Sequence, residues 1–239
     1  MGRGSAVAIS KLSQNPFKGE AGLIIRLLFT DPDKLWTGQE IAQDLNLSQA
    51  WVNRVLGTFE MHEIVHRTMK GPNSGTQLTQ PAELLKKWGH HYQISLNQKH
   101  LYLLLDKSPL KQLMAIAEKE KLDSALTGYE AGNLIKSSSS GAPPMVYLWP
   151  KAESKISFKQ ILSRLENQHR FIPVGKEANL IILEPFQKDA VFFGSRKIKG
   201  VTIVSPVQLI LDLYGLDQGK FIINSLASFW KENRIPYAF

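Results

Sequence analysis

Apolar residues recur at helical spacing three times within the first sixty positions, and each recurrence is punctuated by stop or cap residues. In "EAGLIIRLLFTDPD", Leu23, Leu27 and Leu28 share one face, and Asp31-Pro32-Asp33 ends the pattern. "TGQEIAQDLNL" opens with Thr37 three residues before Glu40, a spacing at which each side chain satisfies the other's backbone N–H; Ile41, Ala42 and Leu45 then turn inward. Ser48 caps "QAWVNRVLGTFEMHE", where Val52, Val55, Leu56 and Phe59 form one apolar stripe. Three helices are predicted, the second and third joined by a very short turn around Asn46-Leu47.

The period then changes. "IVHRTMKGPNSGTQLT" has β character around a Gly-Pro-Asn-Ser-Gly centre, which predicts a hairpin, and Pro81 starts a further helix, "PAELLKKWGHHY". Residues 93–100, "QISLNQKH", mark the expected boundary. Beyond them "LYLLLD", "MVYLWP", "NLIILEP", "AVFFG" and "GVTIVSP" read as strands. "SPLKQLMAIAEKEK", "LTGYEAGNLIK", "SFKQILSRLENQ", "VQLILDLYG" and "GKFIINSLASFWKEN" read as helices, and "SSSSGAPP" as a mobile surface loop. The expected fold class is α+β, with an N-terminal winged helix-turn-helix over residues 1–92 followed by a mixed α/β domain over residues 100–239.

Composition narrows the partners. The chain has 239 residues, 43% of them hydrophobic, enough to bury one sizeable core or two modest ones. No apolar run approaches the ~20 residues of a membrane-spanning helix, and "MGRGSAVAIS" lacks the apolar core of a secretion signal, so a cytoplasmic protein is expected. Cysteine is absent, which removes disulfides and thiolate chemistry. The formal charge of +8 favours polyanionic partners, and it is unevenly spread. Residues 1–91 carry 10 Lys/Arg against 8 Asp/Glu, residues 92–239 carry 19 against 13.

One short motif competes with this picture. "MHEIVHR" contains His-Glu-x-x-His, the zinc-hydrolase pattern, which works only if a continuous helix sets His62 and His66 one turn apart with Glu63 beside the metal-bound water. Glu83 or the His90-His91 pair would have to supply a third ligand. The approach of strand-like "IVHRT" predicts instead that the helix ends near Glu63, leaving two surface histidines at the foot of the hairpin. No metal or cofactor is expected, and a zinc hydrolase built on His62, Glu63 and His66 remains the alternative from another class.

Helix, capped helix, short turn, capped helix and hairpin form the order of a DNA-binding winged helix. On the outer side of the third helix lie Gln49, Ala50, Asn53 and Arg54, near the end that meets base edges in the major groove. Gln and Asn match adenine, and Arg matches guanine. Ser48, Arg67 and Lys70 are candidates for phosphate contacts, and Trp51 borders the apolar stripe, where it belongs to the core or stacks on sugar and phosphate. Arg196, Lys197 and Lys199 in "GSRKIKG" form the densest positive patch. Such a fold also serves as a protein-interaction module. No catalytic residue is expected: Gly194-Ser195 is followed by basic residues rather than spaced carboxylates, and neither GxxxxGK[ST] nor Gly-x-Ser-x-Gly occurs.

Pro81, Leu84, Leu85 and Trp88 resemble a "P…LL..W" element, and Val204, Ser205, Pro206, Gln208, Asp212 and Leu213 resemble the C-terminal signature of AbiEi-type antitoxins, transcriptional regulators of type IV toxin–antitoxin systems. The resemblance runs from roughly residue 20 to residue 215. It implies an N-terminal domain that binds operator DNA and represses its own operon, and a C-terminal domain that counteracts a nucleotidyltransferase-like toxin. Two departures stand out. Glu63 occupies a position where many regulators of the bacterial winged-helix pattern, which "LNLSQAWVNRVLGTFEMHEIV" resembles, turn the chain with glycine, and "LDQGKFII" stands where AbiEi relatives tend to have an Arg-Gly-rich turn. On the residues alone, Gln208 and Asp212 read as a structural hydrogen-bond pair on one helix.

Overall fold

The computed structural model describes residues 16–68, 71, 74–136 and 141–232. The protein is of the α+β class and divides into two compact units, one of residues up to Trp88 together with those from Ala227, the other Gly89–Leu226.

The first unit begins with α1 (Gly19–Leu28), α2 (Gly38–Asp44) and α3 (Gln49–Met61). On α1 the buried stripe is Ile24, Ile25 and Leu28, with Leu27 nearly enclosed, whereas Leu23 is only half-buried, one position off the predicted face. The Thr37–Glu40 capping box is present. Lys34 bonds Glu40 and lies 3.8 Å from the Trp36 ring centre. The Thr37 backbone N–H, its hydroxyl and Lys34 together hold the Glu40 carboxyl below its usual range.

The stops that end α2 and α3 both use a non-glycine residue in left-handed conformation. After α2, Asn46 has φ 52°, Leu47 N–H donates to Ala42 O at 2.9 Å, and Asn46 N–H donates to Gln43 O at 3.2 Å. After α3, Glu63 has φ 57°, Ile64 N–H donates to Phe59 O at 2.9 Å, and Glu63 N–H donates to Glu60 O at 3.0 Å. Each is the paired-bond helix stop that ordinarily calls for glycine; at the second, Phe59 and Ile64 on either side of the stop are both buried. The two bonds hold Glu63 in this conformation without glycine.

β1 (Val65–Thr68) and β2 (Gly75–Leu78) pair antiparallel, with Val65 opposite Leu78 and Arg67 opposite Thr76. Trp36, between α1 and α2, adds a strand-like edge by exchanging both backbone bonds with Thr76, at 2.8 and 2.7 Å. Lys70 lies outside the described residues.

α4 (Pro81–His91) follows, then a 3₁₀ turn (Ile94–Leu96) and the elements of the second unit: β3 (Gln98–Leu103), α5 (Pro109–Lys119), β4 (Leu122–Thr127), α6 (Gly128–Ile135), β5 (Met145–Pro150) and α7 (Phe158–His169). The chain continues through β6 (Ile172–Pro173), β7 (Leu180–Glu184), α8 (Lys188–Phe192), β8 (Arg196–Ile198), β9 (Val201–Ile203), α9 (Pro206–Tyr214) and α10 (Gly219–Glu232). Seven strands form one mixed sheet in the order β6-β3-β7-β5-β4-β9-β8. The pairs β5–β7 and β4–β9 are parallel, the remainder antiparallel.

Three sequence expectations are corrected here. Leu126 and Thr127, expected to open a helix, instead end the inner strand β4 (122–127), whose Asp, Ser and Ala have weak strand propensity and which is held by neighbours on both sides. "AVFFG" is not a strand but the end of the short helix α8, since a run of four apolar residues does not fix its own period. β3 begins at Gln98, inside the stretch 93–100 read as a boundary, its first residues polar because they are exposed. Residues 137–140 of the serine run lie outside the described residues.

Candidate nucleic-acid interface and buried polar centre

The amphipathic pattern of α3 decides which side chains are offered outward. Val52, Val55, Leu56 and Phe59 are fully buried and anchor one side of the helix. Gln49, Ala50, Asn53 and Arg54 on the opposite side are exposed, as is Ser48, whose hydroxyl accepts from the Trp51 N–H at 3.3 Å and so caps the helix. The four outward side chains thus occupy the first turn and a half of a helix whose N–H groups carry partial positive charge.

Arg67 reaches across from β1 and donates to Asn53 Oδ1 at 3.4 Å, while its Nε is enclosed without a partner. The first turn of α2 approaches the same carboxamide: a Cβ added at Gly38 would lie 2.8 Å from Asn53 Oδ1, so a larger residue there would push the Asn53 side chain aside. Trp51 is half-buried rather than core, its indole N–H is enclosed without a partner, and the Arg54 guanidinium lies 5.8 Å from its ring centre. A polar recess of about 210 Å³ adjoins these residues, lined by Thr37, Gly38, Arg67, Thr68, Gly75 and Thr76 among others. Sequence reasoning grouped Asn53, Arg54 and Arg67 but did not anticipate the Asn53–Arg67 bond, because nothing in the spacing fixes how β1 crosses α3.

The His-Glu-x-x-His stretch does not form a metal site. His62 caps α3, Glu63 takes the left-handed turn, and His66 already lies on β1, so the two imidazoles share no helical face. Among the described residues no three His, Asp or Glu side chains converge as metal ligands. The zinc-hydrolase alternative is therefore corrected: a strand has replaced the second helical turn that it needs.

A second polar constellation lies inside the Gly89–Leu226 unit. Ser205 and Pro206 start α9, with the Ser205 hydroxyl accepting from Gln208 N–H at 3.2 Å, and the helix carries Gln208 and Asp212 into the interior with no exposed surface. Asp212 Oδ1 accepts from the Tyr92 hydroxyl at 2.8 Å, the Tyr147 hydroxyl at 2.9 Å and Gln208 Nε2 at 2.8 Å. Its Oδ2 accepts from the Thr127 hydroxyl at 2.6 Å. Asn97 Nδ2 donates to both tyrosine hydroxyls, at 3.2 and 3.1 Å, and its Oδ1 accepts from the Phe186 N–H at 2.9 Å.

Burial pushes the Asp212 carboxyl up to about 6, against the downward pull of Thr127, Tyr92, Tyr147 and Gln208. Burial and the Asp212 charge together push the Tyr92 and Tyr147 hydroxyls well above their ordinary value. Four donors around two carboxylate oxygens use the acceptor capacity of an ionised aspartate. With both oxygens engaged and no exposed surface, the group serves the fold rather than a reaction. The expected Gln208–Asp212 pair is real, but its further partners are Tyr92 just after α4, Thr127 on β4 and Tyr147 on β5, with Asn97 before β3 bonding both tyrosines, and no local spacing connects them.

A family model described as "Transcriptional regulator, AbiEi antitoxin, Type IV TA system" matches residues 77–223, well over half of the chain. The chain belongs to the AbiEi antitoxin family. No curated protein and no solved structure matches it. The AbiEi match takes in α4 and every member of the Asp212 centre, whereas Ser48, Gln49, Ala50, Trp51, Asn53, Arg54 and Arg67 all precede it. This AbiEi-family chain is thereby placed among transcriptional regulators and antitoxins, a non-enzymatic class. None of its described helices is long and apolar enough to cross a membrane.

Proposed function

We propose that the chain binds double-stranded operator DNA through the first unit, represses its own operon, and uses the Gly89–Leu226 unit to counteract a nucleotidyltransferase-like toxin. The supporting observation is the outward face of α3: Gln49, Asn53 and Arg54 stand exposed on a Ser48-capped helix whose other side is locked in the core. Helix α2, the Asn46 turn, α3 and the β1–β2 hairpin with its Trp36 edge follow the order of a winged helix-turn-helix. In this reading Gln49, Asn53 and Arg54 meet base edges, Ser48 and Arg67 meet phosphates, and Ala50 and Trp51 border the duplex. The chain works in the cytoplasm, where its operator and toxin are. Family membership supports the regulatory and antitoxin parts, because the match covers the second unit.

The test is binding of the purified chain to the DNA upstream of its own reading frame across a salt series. A line of log K against log salt with a slope of about −0.9 per phosphate contact, lost on unrelated DNA only in part, supports the reading. Salt-independent or absent binding rejects it.

A further inference from the structure

The seven-stranded sheet opens at one seam. β4 and β9 run parallel but share only the paired position Leu126↔Ile203. The walls that precede it, Leu122–Ser124 and Val201–Thr202, diverge to line a cleft of about 550 Å³. Five lysines converge on that cleft from four separate places: Lys111 on α5, Lys121 in the turn before β4, Lys151 just after β5, and Lys197 and Lys199 on the β8–β9 hairpin. All five are exposed.

β8 is an edge strand, and a charge at Lys197 guards such an edge against unwanted pairing. That explanation does not reach the other four, which are on no edge strand. Glu118 and Asp123 are the carboxylates of the lining, against five ammonium groups. Among the described residues no salt bridge engages Lys111, Lys121, Lys197 or Lys199. Below the rim, Met114, Leu122, Phe192 and Val201 supply apolar surface, and Ser124, Ser195 and Thr202 supply hydroxyls. Like charges crowded on a rim repel one another, and a multivalent anion relieves that repulsion. The volume is that of a small-molecule site, ~300–1,000 Å³, and exceeds what a bare phosphate fills.

We propose that this cleft binds a nucleoside phosphate, its phosphates on the lysine rim and its flat ring against Met114 and Phe192. The site shares no residue with the α3 face, so it stands or falls independently of operator binding.

Calorimetric titration of the full chain with ATP, with adenosine and with inorganic tripolyphosphate tests it. Saturable binding of ATP is expected, with adenosine and tripolyphosphate each weaker by about tenfold or more, since each keeps only one kind of contact. The pairs Lys121→Ala/Lys151→Ala and Lys197→Ala/Lys199→Ala should each weaken ATP about tenfold with no change in the unfolding midpoint. Phe192→Ala should weaken ATP and leave tripolyphosphate unchanged. The proposal is overturned if ATP does not bind, if tripolyphosphate binds as well as ATP, or if the lysine pairs lower affinity for duplex DNA while leaving ATP untouched.

Discussion

On α3 the Asn53 carboxamide has one hydrogen-bond partner among the described residues, Arg67 at 3.4 Å, and faces solvent. In the second unit Asp212 accepts from Tyr92, Tyr147, Gln208 and Thr127 at 2.9 Å or less and has no exposed surface. The first arrangement leaves capacity unused, as a surface that reads a partner requires. The second uses it all, and its four donors offset part of the cost of enclosing the charge. Their relation to the family differs accordingly, since the AbiEi match contains the closed cluster and excludes the open one.

Removing the acceptor at the closed centre should have the largest effect. Asp212→Ala strands three hydroxyls and an amide inside the protein and should cost about 3–5 kcal/mol in urea unfolding, whereas Asn53→Ala should cost under about 0.5 kcal/mol. Equal costs would erase the contrast between the two clusters.

The pH dependence of Asp212 comes next. Its carboxyl stands at about 6 in the folded chain against an ordinary 3.8. Its contribution to stability is therefore full below about pH 4 and is lost as pH rises through 6, by about 3 kcal/mol in all. The stability of the native chain relative to Asp212→Asn should fall by that amount between pH 4 and about pH 7 and stay level above. A difference independent of pH would mean that the carboxyl is not raised.

On the open face the proposed function places the effects on DNA binding rather than on folding. Arg54→Ala should lower operator affinity by about 1–3 kcal/mol and relax discrimination at one base pair, with the urea midpoint unmoved. The smallest effect is expected at the end of α3. Glu63→Gly removes left-handed strain at φ 57° and should stabilise the chain by up to about 1 kcal/mol, visible as a small rise in Tm without change in operator affinity.

The first unit was largely legible because its signals are local: Thr37 with Glu40, Ser48 before an apolar stripe, and Pro81 at a helix start all act within a few residues. Glu63 was harder, since the burial of Phe59 and Ile64 on either side of it is a property of the packed unit. The second unit hid more. β4 owes its state to strands on both sides, and the "AVFFG" run was too short to show whether it repeats every two residues or every 3.6. Of the polar centre, only Gln208 and Asp212 share a helix, so their pairing could be read from the spacing. Tyr92, Asn97, Thr127 and Tyr147 meet them only through the order of strands. The lysine cleft was visible in part, as Lys197 and Lys199 in one basic stretch, while Lys111, Lys121 and Lys151 arrive from distant positions.

Operator discrimination by the α3 face tests the account most directly. The affinity for upstream DNA relative to a scrambled duplex would be measured at one salt concentration for the native chain and for Gln49→Ala/Asn53→Ala/Arg54→Ala. The expected result is a marked preference for upstream DNA that collapses towards unity in the triple variant, with residual phosphate-driven binding retained. An undiminished preference in the triple variant would contradict the assignment of α3 as the reading surface.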